Sequence, residues 1–344
     1  MRTDAHQNGG IDHTKLDIEA ETSEATENES ATPLAEVRRM VITSLAVCTF
    51  YILVSSSMVF TNKALSFTYE FRTTNILLFI QMLFTIVFLR FLRDILGLIS
   101  FDDFHINTAK QVAPVSIFYS LNAAFALIAL RELSVPSYTL IKRLAPCFCI
   151  ILEFFLLHKR PAKMVVFSLS IMTVGTILAA KADMRSTTAA WMLGFGSCIF
   201  QATYLTYVKR SGRDTGMSST GILYYHSIMS LPCLAVIILA VGEIGPALRY
   251  PHWTSPPFLI VLTVSLLMGL LLNYALFLCT EKTSPTSTTV SGQVKAMGQT
   301  VIGMFTFGGV DMNQRYLLGT LMNISGGVGY AYSKYRALME HGHG

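Results

Sequence analysis

Pro136-Ser-Tyr-Thr-Leu-Ile-Lys-Arg-Leu-Ala-Pro146 places two adjacent cations inside an otherwise apolar segment, residues 136–157. At about 1.5 Å per residue, a helix over this segment is long enough to cross a bilayer. A charge at membrane depth costs roughly 2.5–3.5 kcal/mol on insertion scales, so it is retained where it faces a watery cavity or a counter-charge. Lys142 and Arg143 therefore indicate an anion pathway; the alternatives are snorkelling to an interface or pairing with Glu153.

The composition of the whole chain indicates a polytopic membrane protein. Of its 344 residues, 52% are apolar and only 14% are charged, against about 25% charged in ordinary soluble domains, which excludes a soluble enzyme. Lys and Arg are concentrated in the loops on the amino-terminal side, which places both termini in the cytosol. Ten apolar windows predict membrane spans near residues 41–61, 74–92, 112–130, 136–157, 164–181, 189–208, 220–242, 257–280, 286–307 and 316–335.

An internal similarity predicts an all-α membrane protein of about ten helices, built as two inverted five-helix repeats. Ser-Val-Pro136-Ser-Tyr-Thr139 resembles Thr-Ser-Pro285-Thr-Ser-Thr288, and an intramembrane base, Lys142 or Lys295, follows each. An odd number of spans per repeat inverts the second copy, which is typical of alternating-access carriers with a midplane site. The expected order is a disordered acidic cytosolic tail (1–36), the first repeat (37–208), a cytosolic linker (209–219), the second repeat (220–335) and a cytosolic C-terminal tail (336–344).

Four motifs together resemble those of the nucleotide-sugar transporters in the drug/metabolite transporter superfamily. They are Thr61-Asn62-Lys63-Ala64-Leu65, the stretch 136–143, Leu223-Tyr224-Tyr225-His226, and Ser287-Thr-Thr-Val-Ser-Gly-Gln-Val-Lys295. The resemblance covers residues 40–335 and is closest to the branch that carries UDP-glucuronic acid and UDP-N-acetylhexosamines. It implies an antiporter that exchanges a cytosolic UDP-sugar for lumenal UMP.

The same resemblance implies a substrate-binding set. Lys142 and Lys295 would meet the phosphates. The base would lie by the element formed by Tyr224, Tyr225 and His226, and the set is completed by Asn62, Lys63 and Thr139. Packing is the alternative role for the tyrosines, and interfacial snorkelling for Lys63.

The ninth-helix motif departs from two family patterns. Ser-Gly-Gln-Val-Lys replaces the Gly-Ala-Leu-Asn-Lys of GDP-mannose carriers, which argues against guanine nucleotides. Val294-Lys295-Ala296 replaces Ile-Lys-Asn of the UDP-sugar branch. His226 stands where the family has Asn, so the base preference stays open.

Rival functions remain open on the sequence. The chain would otherwise transport another phosphorylated sugar or nucleotide sugar, such as a GDP-sugar; a polytopic membrane enzyme fits less well, because the lumenal loops offer only scattered acids. No catalytic residue, metal, cofactor or nucleic acid is expected. Asn122 and Gln201 are polar at membrane depth, where interhelical hydrogen bonding explains them as well as ligand contact. The expected location is the Golgi membrane, with the endoplasmic reticulum as alternative. The identity of the sugar and a homodimer are left undecided.

Overall fold

The computed structural model describes residues 32–133, 138, 141–180, 188–307 and 314–341, and all secondary structure within these ranges is helical. Most of the expected acidic tail lies outside the described residues. The described ranges contain ten long helices: α1 (Thr32–Lys63), α2 (Thr74–Asp94), α3 (Ile106–Glu132), α4 (Ala145–Leu157), α5 (Lys163–Ala180), α6 (Thr188–Thr215), α7 (Ser219–Val241), α8 (Pro256–Lys282), α9 (Pro285–Phe307) and α10 (Gln314–His341). A π-helical turn (Ala64–Thr68) follows α1, and a short helix (Ile244–Leu248) and a 3₁₀ turn (Pro251–Thr254) connect α7 to α8.

Several of these helices have the length and composition of membrane spans. Four described segments qualify by both criteria: Arg38–Ser66, α2, α7 and α8. Two shorter apolar helices cover α4 and most of α5. Large apolar side chains such as Val236, Leu239 and Ile260 point outward and are more than half exposed, as lipid-facing residues are. The prediction of an all-α, multi-pass membrane protein is confirmed.

The expectation of one continuous helix over 136–157 is wrong. Residues 143 and 144 form a turn, and α4 begins only at Ala145. The cause is Pro146, which has no N–H to donate to the carbonyl of Lys142. The side chain of Gln293 donates to that carbonyl instead, at 3.0 Å. Lys142 and Arg143 therefore lie at a break between helical segments, a feature that carriers use to build sites at membrane depth.

The expected linker of residues 209–219 is largely helical. Helix α6 continues to Thr215, where an i,i+4 ion pair between Arg210 and Asp214 (3.3 Å) supports its last turns. Gly216 then adopts a left-handed φ of +68°, and α7 starts at Ser219. The polar residues of this segment therefore lie on partly exposed turns of α6 and do not mark the end of the helix. A boundary there leaves six long helices before it and four after; an equal division falls between α5 and α6.

The pairing of the helices follows a regular pattern. Helices α2 and α7 pack together, as do α4 and α9, and α5 and α10. Helix α3 contacts α6 and α7, whereas α8 contacts α1 and α2; likewise α4 contacts α6, and α9 contacts α1. Exchanging every helix for the one five places away in the chain leaves these nine pairs unchanged, whereas the contacts of α8 with α6 and α7 have no counterpart of similar extent among the described helices.

Helices α5 and α10 approach each other at backbone distance because glycines lie between them. A Cβ atom built on Gly326 would lie 2.8 Å from the carbonyl oxygen of Ser168 and 2.5 Å from Met172 Cγ. A Cβ on Gly175 would lie 2.7 Å from the carbonyl oxygen of Gly319. Small residues at helix interfaces permit this contact in membranes, where packing rather than the hydrophobic effect drives association.

We expect Gly326→Ala to destabilise the protein by about 1–3 kcal/mol, because the added methyl group overpacks a backbone contact. The matched control is Gly327→Ala, where the new Cβ meets only Val294 Cγ2 at an ordinary 3.9 Å. Both changes gain the same helix propensity. Thermal unfolding in detergent measures the difference; equal melting temperatures for the two variants would contradict the assigned α5–α10 contact.

Candidate functional site

Lys142 and Lys295 line the same internal cavity, of about 280 Å³. We call it the central cavity. Its walls come from α1, α4, α6, α8, α9 and the residues just before α4. It is lined by Tyr51, Lys142, Ala145, Gln201, Leu205, Leu276, Thr288, Thr289, Gly292, Gln293, Lys295 and Ala296. The break before α4 and the middle of α9 thus bring together the two lysines that the sequence separates by 153 positions.

The ammonium of Lys142 is held in position by neutral acceptors. It donates three hydrogen bonds, to Asn122 Oδ1 at 2.9 Å, Ser197 Oγ at 2.6 Å and Gln201 Oε1 at 2.9 Å. The ring of Tyr138 lies 5.5 Å from the same nitrogen, within cation–π range. These contacts orient the charge and leave it uncompensated, because each acceptor is neutral.

The ammonium of Lys295 is the second positive charge at the central cavity. It donates to Ser55 Oγ of α1 at 2.6 Å. Within the described part of the chain, neither Lys142 nor Lys295 forms an ion pair with a carboxylate. Two cations that line a cavity without an acid partner form a site whose natural occupant is an anion, and an ammonium binds phosphate well as a point charge.

The polar wall that α9 presents to the central cavity is stable within the membrane because its hydroxyls bond locally. Thr288 donates to the carbonyl of Ser284 (3.1 Å), Thr289 to that of Pro285 (3.1 Å) and Ser291 to that of Ser287 (2.9 Å). Each hydroxyl is thereby satisfied one helical turn back. The helix can therefore carry many polar groups at membrane depth and still expose Gln293 and Lys295 to the cavity.

Tyr224 and Tyr225 do not reach the central cavity in this structure. Both are buried in a packed cluster formed by α1, α2, α3, α6, α7 and α8. The hydroxyl of Tyr224 accepts a hydrogen bond from Arg90 Nε at 2.8 Å. The hydroxyl of Tyr225 donates to the carbonyl of Asp103 at 2.7 Å and accepts from the N–H of His105 at 2.9 Å. The two tyrosines therefore fasten α7 to α2 and to the loop that precedes α3.

The loop that receives Tyr225 is itself held by charge. Arg93 Nη2 lies 2.7 Å from Asp103 Oδ1, and Arg93 Nη1 donates to the carbonyl of Phe101 at 3.1 Å. The hydrogen bond from the Arg93 guanidinium keeps the pKa of the Asp103 carboxyl below its ordinary value. The carboxylate therefore stays ionised at neutral pH and keeps the loop in place.

His226 lies in the same packed region and is completely buried. Its Nδ1 is 3.1 Å from Ser116 Oγ, and its ring meets the rings of Tyr119 and Phe277 edge-on at 4.7 and 5.2 Å. It is absent from the described lining of the central cavity. The structure thus brings Lys142 and Lys295 together. It leaves Tyr224, Tyr225 and His226, which we call the α7 motif, outside the described lining of their cavity.

The remaining expected site residues are not part of the described cavity. Asn62 is exposed at the end of α1. Thr139 and the side chain of Lys63 lie outside the described residues. Arg143 is buried, and Glu153, its expected partner, accepts hydrogen bonds from the N–H and the hydroxyl of Thr286 at 2.7 and 2.6 Å.

Sequence reasoning missed the neutral residues that hold the two lysines. These are Ser55, Ser197 and Gln293. Ser197 lies one helical turn before Gln201 on α6, so the i,i+4 spacing of two polar residues at membrane depth was the available signal. Gln293 had no such signal, because its hydrogen bond to the carbonyl of Lys142 depends on the break in the helix before Pro146.

Comparisons with known proteins identify the family of the chain and a solved structure of similar fold. A profile of the Triose-phosphate Transporter family matches residues 40–331. The chain is 36% identical to the UDP-galactose/UDP-glucose transporter 7 of Arabidopsis thaliana over 295 residues, which cover 85% of this chain and 90% of that protein. It is 28% identical to the UDP-N-acetylglucosamine transporter UGNT1 of Arabidopsis thaliana, over 83% of this chain and 86% of that one. A solved crystal structure is similar in fold alone, with a TM-score of 0.59 and 12% identity over 86% of this chain and 98% of that chain.

Proposed function

Because the chain belongs to the Triose-phosphate Transporter family, we propose that it is a nucleotide-sugar antiporter that exchanges a cytosolic UDP-sugar for lumenal UMP by alternating access. The observation that carries the proposal is the convergence of Lys142 and Lys295 on one cavity without an acid partner among the described residues. The relatives described above are named as transporters of UDP-sugars that differ in the sugar. Membership of a transporter family makes the chain a carrier and not an enzyme.

Two inverted repeats, α1–α5 and α6–α10, are the architecture that we propose for this carrier. The support is that the nine helix pairs named above are exchanged among themselves when each helix is replaced by the one five places away. An odd number of spans per repeat gives the two copies opposite orientations. Rocking of one repeat against the other around a midplane site is how such folds expose the site to each side in turn.

The phosphates of the substrate are the groups that Lys142 and Lys295 would meet. A nucleotide sugar carries about two negative charges and loses most of its water at the midplane, and two ammonium groups offset that cost. The present cavity of about 280 Å³ lies below the ~300–1,000 Å³ typical of small-molecule sites. We propose that the helices around the cavity separate to admit the whole nucleotide sugar.

We assign base contact by Tyr224 and Tyr225 to the form in which the loop before α3 has moved away from α7. In the present form their hydroxyls are occupied by Arg90, Asp103 and His105. His226 is completely buried, so its proposed contact with the base requires a larger movement of the surrounding helices than the tyrosines do. Asn62, Lys63 and Thr139 stay in the proposed binding set on the resemblance alone.

We propose the Golgi membrane as the location, with both termini in the cytosol. The support for the orientation is the concentration of Lys and Arg in the loops on the amino-terminal side. In this orientation the short connection between α6 and α7 and the loop before α3 face the cytosol. The endoplasmic reticulum remains the alternative location, and a homodimer remains a proposal without a described interface.

We expect UMP to raise the melting temperature of the purified protein more than the other nucleoside monophosphates do. A ligand that binds only the native state stabilises it by about 2.7 kcal/mol at a hundred times its Kd. The measurement is a thermal-shift panel of UMP, GMP, AMP and CMP in detergent. Uridine is the matched control, since it keeps the base and lacks the phosphate that Lys142 and Lys295 would bind.

The panel separates the candidate functions. A dominant response to GMP would replace the UDP-sugar proposal by a GDP-sugar carrier. An equal response to inorganic phosphate and to every nucleotide would indicate a carrier of small phosphorylated solutes. No response to any phosphorylated compound would remove the proposed function.

A further inference from the structure

A second, basic cavity of about 490 Å³ opens at the ends of α4, α6 and α8 and the start of α7. We call it the basic cavity. It is lined by Leu157, Lys159, Lys209, Gly212, Arg213, Gly216, Met217, Ser218 and Glu281. Three cations share it with one carboxylate, and that carboxylate is already engaged by Ser219 and by Lys282. The positive-inside rule accounts for exposed bases at this end of the helices but does not account for their convergence around a pocket.

The basic cavity and the central cavity lie along the same face of α4. Besides Pro146, the buried residues of this helix are Ala145, Cys149, Glu153 and Leu157, one residue per turn. Ala145 lines the central cavity, and Leu157 lines the basic cavity. Cys149 and Glu153 lie between the two.

Helix α6 shows the same arrangement. Gln201 and Leu205 line the central cavity, whereas Lys209, Gly212 and Arg213 line the basic cavity. The spacing of four residues keeps these side chains on one face. At 1.5 Å per residue, Lys209 lies about 12 Å along the helix from Gln201. The two cavities therefore lie one after the other along α4 and α6.

A layer of polar contacts separates the two cavities; we call it the closure. It contains the bonds from Thr286 to Glu153, the 3.0 Å contact between the hydroxyls of Thr280 and Thr288, and the 3.7 Å contact between Thr289 and Cys149. Helices α4 and α9, which we placed in different repeats, meet here. Opening a path between the cavities requires that these contacts break.

Lys209 lines the basic cavity and also bonds the end of α8. Its ammonium donates to the carbonyl of Glu281 and to the carbonyl of Thr283, the latter at 3.2 Å. These carbonyls lie at the end of α8 and just beyond it, at the connection to α9. A cation there stabilises the unsatisfied carbonyls of the helix terminus. An anion that enters the basic cavity competes with these carbonyls for the same ammonium.

We propose that the basic cavity is a second anion site, which captures the phosphate groups of a nucleotide from the cytosolic side before the closure opens. Capture draws Lys209 away from the end of α8 and so loosens the connection between α8 and α9. The inference rests on the proposed function, because it takes the nucleotide as substrate and the α6–α7 connection as cytosolic. It adds a site that substrate occupies before it reaches Lys142 and Lys295.

The test is uptake of radiolabelled UMP into sealed microsomes preloaded with UMP, whose outer face is the cytosolic one. We expect Lys159→Gln combined with Arg213→Gln to raise KM about five- to tenfold with little change in the maximal rate, since a basic funnel raises the local anion concentration. The matched control is Lys110→Gln combined with Arg160→Gln, which removes the same charge from exposed residues outside the basic cavity. The control should keep the KM of the parent protein and its dependence on ionic strength.

The Lys209 variants report on the coupling. Lys209→Gln keeps a donor for the two carbonyls and removes the charge, so it should raise KM as the double variant does. Lys209→Met also removes the donor and should in addition increase UMP uptake into vesicles without internal UMP. The inference would be overturned if the control variant, Lys110→Gln with Arg160→Gln, raised KM as much as the cavity variant, Lys159→Gln with Arg213→Gln. The effect would then come from general surface charge.

A lipid headgroup offers the same phosphate chemistry and is the competing source. Phosphatidylserine or phosphatidylinositol would be the ligand of the basic cavity if it raised the melting temperature of the parent protein but not that of the Lys159→Gln, Arg213→Gln variant, while the KM for UMP stayed unchanged. This result would overturn the assignment of the cavity to the nucleotide. Absence of UMP uptake by the parent protein, by contrast, would defeat the proposed function itself. The two failures are therefore distinguishable.

Discussion

Replacing Lys295 by methionine is expected to reduce nucleotide exchange by at least about thirtyfold and to remove the thermal shift by UMP. Methionine keeps most of the side-chain volume and removes the charge. Truncating one partner of a buried charge pair costs about 2–5 kcal/mol, and 1.4 kcal/mol is tenfold in affinity. The loss should be large because Lys295 supplies one of the two ammonium groups at the central cavity.

The matched control is Val294→Ala on the same helix. Val294 is the preceding residue, and 47% of its surface is exposed on the outer face of α9. The Val294→Ala substitution should therefore leave UMP binding intact. The measurements are the melting temperature with and without UMP and exchange in reconstituted vesicles. A Lys295→Met protein that folds and still responds to UMP as the parent does would remove Lys295 from the site.

Uptake of radiolabelled UMP is expected to be at least about tenfold faster into vesicles preloaded with UMP than into empty vesicles. The reason is electrostatic. The ammonium groups of Lys142 and Lys295 face one cavity and form no ion pair within the described residues, so closing the empty cavity places like charges in a low dielectric. A bound phosphate neutralises them, and the loaded carrier crosses readily.

Preloading with uridine is the matched control for this prediction. Uridine has the same base and ribose as UMP but lacks the negative charge, so preloading with it should not accelerate UMP uptake. Fast uptake into empty vesicles, equal to that into preloaded ones, would show that the cations are neutralised by other means. The exchange mechanism would then have no basis in the site.

The cations and their setting were predictable from the sequence. A charge is costly at membrane depth, and Lys142 and Lys295 stand in apolar segments, so hydropathy and charge alone single them out. The apolar windows also marked the positions of the helices. Their ends were less predictable: the polar residues after Lys209 suggested a linker, whereas α6 continues to Thr215, because solvent-exposed helical turns carry the same composition as loops.

The placement of the α7 motif was beyond sequence reasoning for a different reason. Similar motifs suggested that Tyr224, Tyr225 and His226 share a site with the lysines. In this structure the hydroxyl of Tyr225 bonds the loop before α3 instead. A buried tyrosine satisfies its hydroxyl with whichever partner the packing brings near, and one sequence serves more than one conformation of a carrier.

The amino-acid sequence by itself determined that this is a multi-pass helical protein with isolated positive charges in the membrane, because hydropathy and the cost of burying charge are local properties of a segment. Only the tertiary structure decided that Lys142 and Lys295 share one cavity, that Gln293 bonds the carbonyl left free at the break before Pro146, and that Lys209 bonds the end of α8 beside the basic cavity. Each of these depends on contacts between helices distant in the chain, and such contacts follow from the packing of all helices together.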